Sequence, residues 1–135
     1  MYFTFAAANL SFCWNATGTT LAGRVGVPGV AANRLDCPFG LALDVSNTLY
    51  ISDQDNNRVQ KWLVGAPSGT TIAGQSGGIS GTTSSDLNTP SGILVDSSGN
   101  IYVADTNNNR IQLWLNAASS GSTIAGTAGR NEGAI

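Results

Sequence analysis

The chain has 135 residues, enough for one domain to bury a core without disulfide or metal staples. Charged residues make up 10% of it, the net charge is −2 and histidine is absent. Binding driven by phosphate needs several cations on one face, and the six here (Arg24, Arg34, Arg58, Lys61, Arg110 and Arg130) are dispersed, which argues against nucleic acid and against a membrane surface.

The first stretch, residues 1–12, is apolar but has no basic lead, and no run approaches the ~18 apolar residues of a membrane span. Asn9 and Asn15 each open an N-x-S/T sequon and would be glycosylation acceptors in a secreted chain, a weak pointer to the exterior. Cys13 and Cys37 allow one disulfide, whose geometry the sequence does not set. Trp14 followed by Gly18-Thr-Thr-Leu-Ala-Gly23 matches Trp62 followed by Gly69-Thr-Thr-Ile-Ala-Gly74, so the chain opens partway through a repeating unit.

The complete units come next. Residues 38–74 set above residues 90–126 agree at 19 of 37 positions without a gap, an offset of 52. Within the second unit Ile101 and Val103 alternate with Tyr102 and Ala104, and Ile111, Leu113 and Leu115 alternate with Arg110, Gln112 and Trp114. Period two over both faces predicts strands near 92–96, 100–105, 110–116 and 121–126, with counterparts 52 residues earlier. Ser97-Ser-Gly-Asn100 and Thr106-Asn-Asn-Asn109 supply the turn residues between them. A meander that is apolar on both faces must stack against neighbours, which is the logic of a propeller blade. The expected organisation is the end of one blade plus a connector over 1–36, a complete blade over 37–88, and a second blade with a short tail over 89–135.

The strings Pro38-x-Gly40, Leu49-Tyr-Ile-Ser-Asp53 and Asn56-Asn-Arg58-Val-Gln-x-Trp62, repeated as Pro90-x-Gly92, Ile101-Tyr-Val-Ala-Asp105 and Asn108-Asn-Arg110-Ile-Gln-x-Trp114, closely resemble NHL repeats. The resemblance covers 38–126 well and 12–37 in part. It implies an all-β partial β-propeller of four-stranded antiparallel blades. Its function would be a non-catalytic interaction scaffold, with no cofactor, that binds protein or glycan partners through inter-blade loops near 24–34, 65–68 and 75–86. A closed ring takes about four or more blades, so the expectation is either a longer parent chain or two copies completing one ring. Two further readings follow from the same resemblance: the substrate-recognising part of a tripartite-motif-like ubiquitin ligase, and an RNA-binding propeller. The first would need zinc-binding domains outside this chain, and the second is opposed by the charge.

The recurring residues Asp53, Asn57, Arg58, Trp62, Asp105, Asn109, Arg110 and Trp114 are the repeat signature, and each has a structural and a functional reading. Asp53 and Asp105 end strands before Asn-rich turns, where a carboxylate ordinarily accepts backbone N–H bonds; Asp44 and Asp96 sit likewise at the first hairpin. Arg58 and Arg110 are expected to join blade to blade, and the tryptophans to pack between sheets. Lys61 stands where the next unit has Leu113 and marks a face that is not uniformly buried. Catalysis has little to use, since without histidine there is no Ser-His-Asp or Cys-His arrangement and no imidazole for zinc. A calcium-dependent propeller hydrolase would require Asp53, Asn57, Asp105 and Asn109 to converge on one point.

Overall fold

Alternating apolar residues become strands where both faces can be covered, and the computed structural model, which describes residues 18–127, contains eight. β1 (Pro38–Leu43), β2 (Leu49–Asp53), β3 (Arg58–Trp62) and β4 (Thr70–Gly74) pair in chain order as one antiparallel sheet. β5 (Pro90–Val95), β6 (Ile101–Asp105), β7 (Arg110–Trp114) and β8 (Ser122–Gly126) form a second sheet of the same order. The fold is all-β, two blades of a partial β-propeller, interrupted among the described residues only by a 3₁₀ turn at Thr106–Asn108. Asn9, Cys13, Trp14, Asn15 and Arg130 lie outside the described residues.

Register repeats with sequence. Asp53 pairs with Arg58 and Leu49 with Trp62 across β2–β3, as Asp105 pairs with Arg110 and Ile101 with Trp114 across β6–β7. Strand ends depart from expectation by two residues in two places. β1 and β5 begin earlier, at Pro38 and Pro90; each is an edge strand, where a residue lacking N–H removes no ladder bond. β7 stops at Trp114 because Ala117 turns the chain with φ 63°, as Gly65 does with φ 76° after β3. In both blades the fourth strand carries a bulge at its isoleucine, Ile72 or Ile124, which pairing skips. Gly74 then closes β4 at φ 76°, where a Cβ would collide with the Asn57 carbonyl.

The core lies between the sheets. Tyr50, Val59 and Ala73 of the first blade meet Ile93, Ile101, Val103 and Trp114 of the second, with Leu87 of the connector sealed among them. Each large side chain buried this way contributes about 1.5–3 kcal/mol. The blades come closest at the inner strands: the Gly40 N–H donates to Ser52 Oγ at 2.6 Å, and that hydroxyl donates to the Ser91 carbonyl. Any side chain at Gly40 would strike that carbonyl, whereas Gly92, its counterpart on the far side of the second blade, faces open space. The far face is otherwise built like the first blade's inner face but is uncovered: Leu94 is 70% exposed, and Ile111 and Ala125 are more open than Val59 and Ala73, which are sealed.

Candidate functional site

Each blade carries one buried polar group, assembled from the end of its second strand, the following turn and the start of its third. Asp53 Oδ2 accepts Arg58 Nε at 2.8 Å, and both its oxygens accept Asn56 Nδ2 at 3.0 Å. Oδ1 also takes the backbone N–H of Asp36 at 2.7 Å. The rest of the guanidinium donates to the carbonyls of Val30, Ala31 and Arg34 in the connector before the blade and of Ser76 after it, while Asn56 reaches the Gly29 carbonyl. In the second blade Asp105 takes Asn88 N–H at 2.7 Å and Arg110 Nε at 2.7 Å, with Asn108 beside it. Arg110 then donates to Thr82, Thr83 and Asp86, and Asn108 to Gly81. All five connector partners recur at the offset of 52, so the repeat extends upstream through the connector.

This geometry differs from the expectation for the aspartates. Asp53 and Asp105 do not bond N–H groups of the turn that follows; they bond the connector 17 residues before and the Asn and Arg after. The reason is burial: at 0% exposure a carboxylate needs a full set of donors including a cation, and a turn supplies too few. Arg58 and Arg110 join blades through the connector that runs from one to the next, not through the facing sheet. Asn57 and Asn109 take the left-handed conformation, φ 51° and 52°, and Asn57 links the blades by donating to the Gly78 carbonyl and accepting the Thr89 N–H. Asp53 and Asp105, each enclosed in its own blade, do not share a site, and among the described residues no cluster of three acidic or cysteine ligands forms.

Asp44 and Asp96 do act within their own hairpins. Asp44 Oδ1 accepts Ser46 and Thr48 N–H groups, and Asp96 Oδ1 accepts those of Ser98 and Asn100. Backbone donation from Thr48 holds the Asp44 carboxyl below the usual carboxylate range, and the Asn100 amide does the same for Asp96. Asp86, at the connector, is lowered first by the Thr83 hydroxyl and then by Gln75.

Between the blades, at the ends of β3 and β7, lies a cleft of about 580 Å³. The loop after β3 contributes Leu63, Ala66 and Ser68, and the loop after β7 contributes Leu115, Asn116 and Ser119. Its floor includes Tyr50 and Trp114, both buried. Among the described residues Lys61 is the only charged side chain lining it, and its ammonium stands 5.7 Å from the centre of the Tyr50 ring. The Tyr50 hydroxyl donates to Asp44 Oδ2 at 3.2 Å, and burial pushes that phenol above its ordinary value.

The profile of the NHL repeat matches residues 87–113, from the sealed Leu87 through Asp105, Asn108 and Arg110. The chain is also 35% identical over 94 residues to NHL repeat-containing protein 2 of Bos taurus, an alignment taking in 64% of this chain and 13% of the bovine protein. These matches support an NHL-repeat family. The chain spans a small part of that relative's length.

The signature residues of the NHL blades were readable because they recur, but three features were not. Asn56 and Asn108, rather than their αL neighbours Asn57 and Asn109, hold the buried carboxylate; adjacent asparagines give no sign of which turns inward. Connector carbonyls carry no sequence signal, although Gly29, Leu35 and Gly81, Leu87 recur at the offset of 52 and mark the frame. The two tryptophans, equivalent in sequence, also differ in orientation. Trp62 Nε1 donates to the Ala66 carbonyl at 2.9 Å and turns its benzo edge toward Gly69, whereas Trp114 turns Nε1 toward Gly121 and lacks a partner for it among the described residues.

Proposed function

We propose that this NHL blade pair is a non-catalytic interaction module that takes a protein partner in the cleft between its blades. The observation that carries this reading is the contrast between loops. The connectors 24–34 and 75–86 are tied through their carbonyls to Arg58 and Arg110, while the loops at 63–69 and 115–121 rim an open cleft. Loops held on a rigid framework are where binding surfaces vary. On this reading Asp53, Asn57, Arg58, Trp62, Asp105, Asn109 and Arg110 hold the framework and do not touch the partner, while Trp114 holds the framework and forms part of the cleft floor. Tyr50 and Trp114 are 3% and 2% exposed, so neither offers a ring face to a sugar; Leu63 and Leu115, 59% and 58% exposed, offer apolar contact to a polypeptide.

The uncovered face with Leu94, Tyr102 and Ile111 is a separate surface, shaped to take a further blade as the first blade takes the second. That blade comes either from a second copy completing a ring or from the rest of a longer chain.

Panning a random peptide display library on the folded chain tests the cleft. The expected peptides lose binding to Ser68→Arg, inside the cleft, and keep it on Ser80→Arg, in the exposed connector. Peptides that respond only to Ser80→Arg, or a library that yields no binder, would contradict the reading.

A further inference from the structure

The cleft has a chemical asymmetry that the repeat itself does not require. At the position where the second blade has Leu113, the first has Lys61, half-buried in the cleft wall. Among the described residues the ion pairs are Arg58–Asp53 and Arg110–Asp105, and Lys61 is in neither. Asp44, just after β1, already accepts two backbone N–H groups and the Tyr50 hydroxyl. Thr70 pairs with Lys61 across β3–β4, and the hydroxyls of Ser68, Thr70 and Ser119, which line the same cleft, have no protein partner among the described residues. A half-buried cation loses hydration that a counter-anion restores, and hydroxyl donors complete the coordination of a carboxylate.

We propose that Lys61 makes the cleft an anion site that anchors the carboxylate of a Glu or Asp flanked by aliphatic residues in an acidic peptide segment. This rests on the reading of the cleft as the binding surface. Leu63 and Leu115, one from each blade, both line the cleft and are exposed, and take the flanking aliphatic side chains; the sealed Tyr50 and Trp114 rings leave no stacking platform for an acidic sugar. The single cation makes one carboxylate sufficient, so a run of acids adds little beyond the first.

The test is an amide chemical-shift titration of the full chain with the capped tripeptide Leu-Glu-Leu at millimolar concentration, set against Leu-Gln-Leu and against glucuronic acid. The expected result is that the Glu peptide shifts amides around 61–71 and 115–119, and that the Gln peptide binds at least about tenfold more weakly, as loss of a charged hydrogen bond implies. Binding also weakens as salt rises. Lys61→Leu, which copies the residue the second blade uses and keeps a dispersed spectrum, loses the preference for Glu, and Lys61→Arg keeps it. Equal binding of the Glu and Gln peptides in the cleft overturns the anion site and leaves the cleft reading standing. Shifts confined to residues outside the cleft, or none, overturn both. Stronger binding of glucuronic acid than of the Glu peptide overturns the peptide as occupant.

Discussion

Replacing Arg110 by methionine removes a cation that sits 2.7 Å from Asp105, in a pair whose side chains are 1% and 0% exposed. With no solvent to screen it, the remaining carboxylate is left charged and buried, a loss of about 3–5 kcal/mol in comparable buried pairs. The carbonyls of Thr82, Thr83 and Asp86, now 2.8 to 3.1 Å from guanidinium nitrogens, also lose their donors; those that water cannot reach cost about 1–3 kcal/mol each. Against a total stability of about 5–15 kcal/mol for a domain, the variant is expected to be largely unfolded at room temperature. The double variant Arg110→Met with Asp105→Asn removes the stranded charge, so its loss should fall short of the sum of the two single losses by about 0.5–3 kcal/mol. Urea unfolding followed by tryptophan fluorescence and circular dichroism reads all three, with exposed Arg24→Met as the near-neutral control. A loss below about 1 kcal/mol for Arg110→Met, the range of surface pairs, would refute the clamp as an energetic unit.

Other outcomes follow from the same geometry. Gly40→Ala forces a methyl against the Ser91 carbonyl and should cost about 1–3 kcal/mol by thermal unfolding, while Gly92→Ala, which meets open space, should cost little; equal effects would contradict the close approach of the inner strands. Asp44, Asp86 and Asp96 have carboxyls held below the ordinary value in the folded chain. Their contribution is therefore complete above an unfolded value of about 3.9 and is lost as pH falls through the folded values. Tyr50 is raised by burial, so its contribution is present below about pH 10 and lost as pH rises toward its folded value. Urea midpoints measured across pH should accordingly be flat near neutrality and fall at both ends, and Asp96→Asn should flatten the acid limb. Leu94→Lys places a charge on the uncovered face and should reduce self-association measured by light scattering, whereas an unchanged mass would argue that nothing docks there.

The fold was readable in the sequence because its signals are periodic. Alternation in 101–105 and 110–115, and the offset of 52, set the strands, their order and the blades within one residue at most ends. The exceptions have physical causes that lie between residues: Pro38 and Pro90 extend the inner strands because an edge forgives a missing N–H, and Ala117 ends β7 by adopting a left-handed angle that its identity does not advertise. The buried clamp was half readable. Asp105 and Arg110 recur with their counterparts, but their partners are largely backbone carbonyls of the connector, which any residue can supply. The cleft was less readable still, because it is formed by two loops 52 residues apart; the exchange of Leu113 for Lys61 was its one trace in the sequence.

The account turns on the connector and the blade being one rigid unit, and amide hydrogen exchange at Asp36 and Asn88 tests this most directly. Both residues lie outside any strand, yet their N–H groups donate at 2.7 Å to the buried carboxylates of Asp53 and Asp105. The predicted result is that both exchange as slowly as Val59 and Val103 in the core, through global unfolding. Exchange as fast as that of the exposed connector residue Gly77 would mean that the connectors are loose loops, and would contradict the clamp on which the cleft and its proposed role are built.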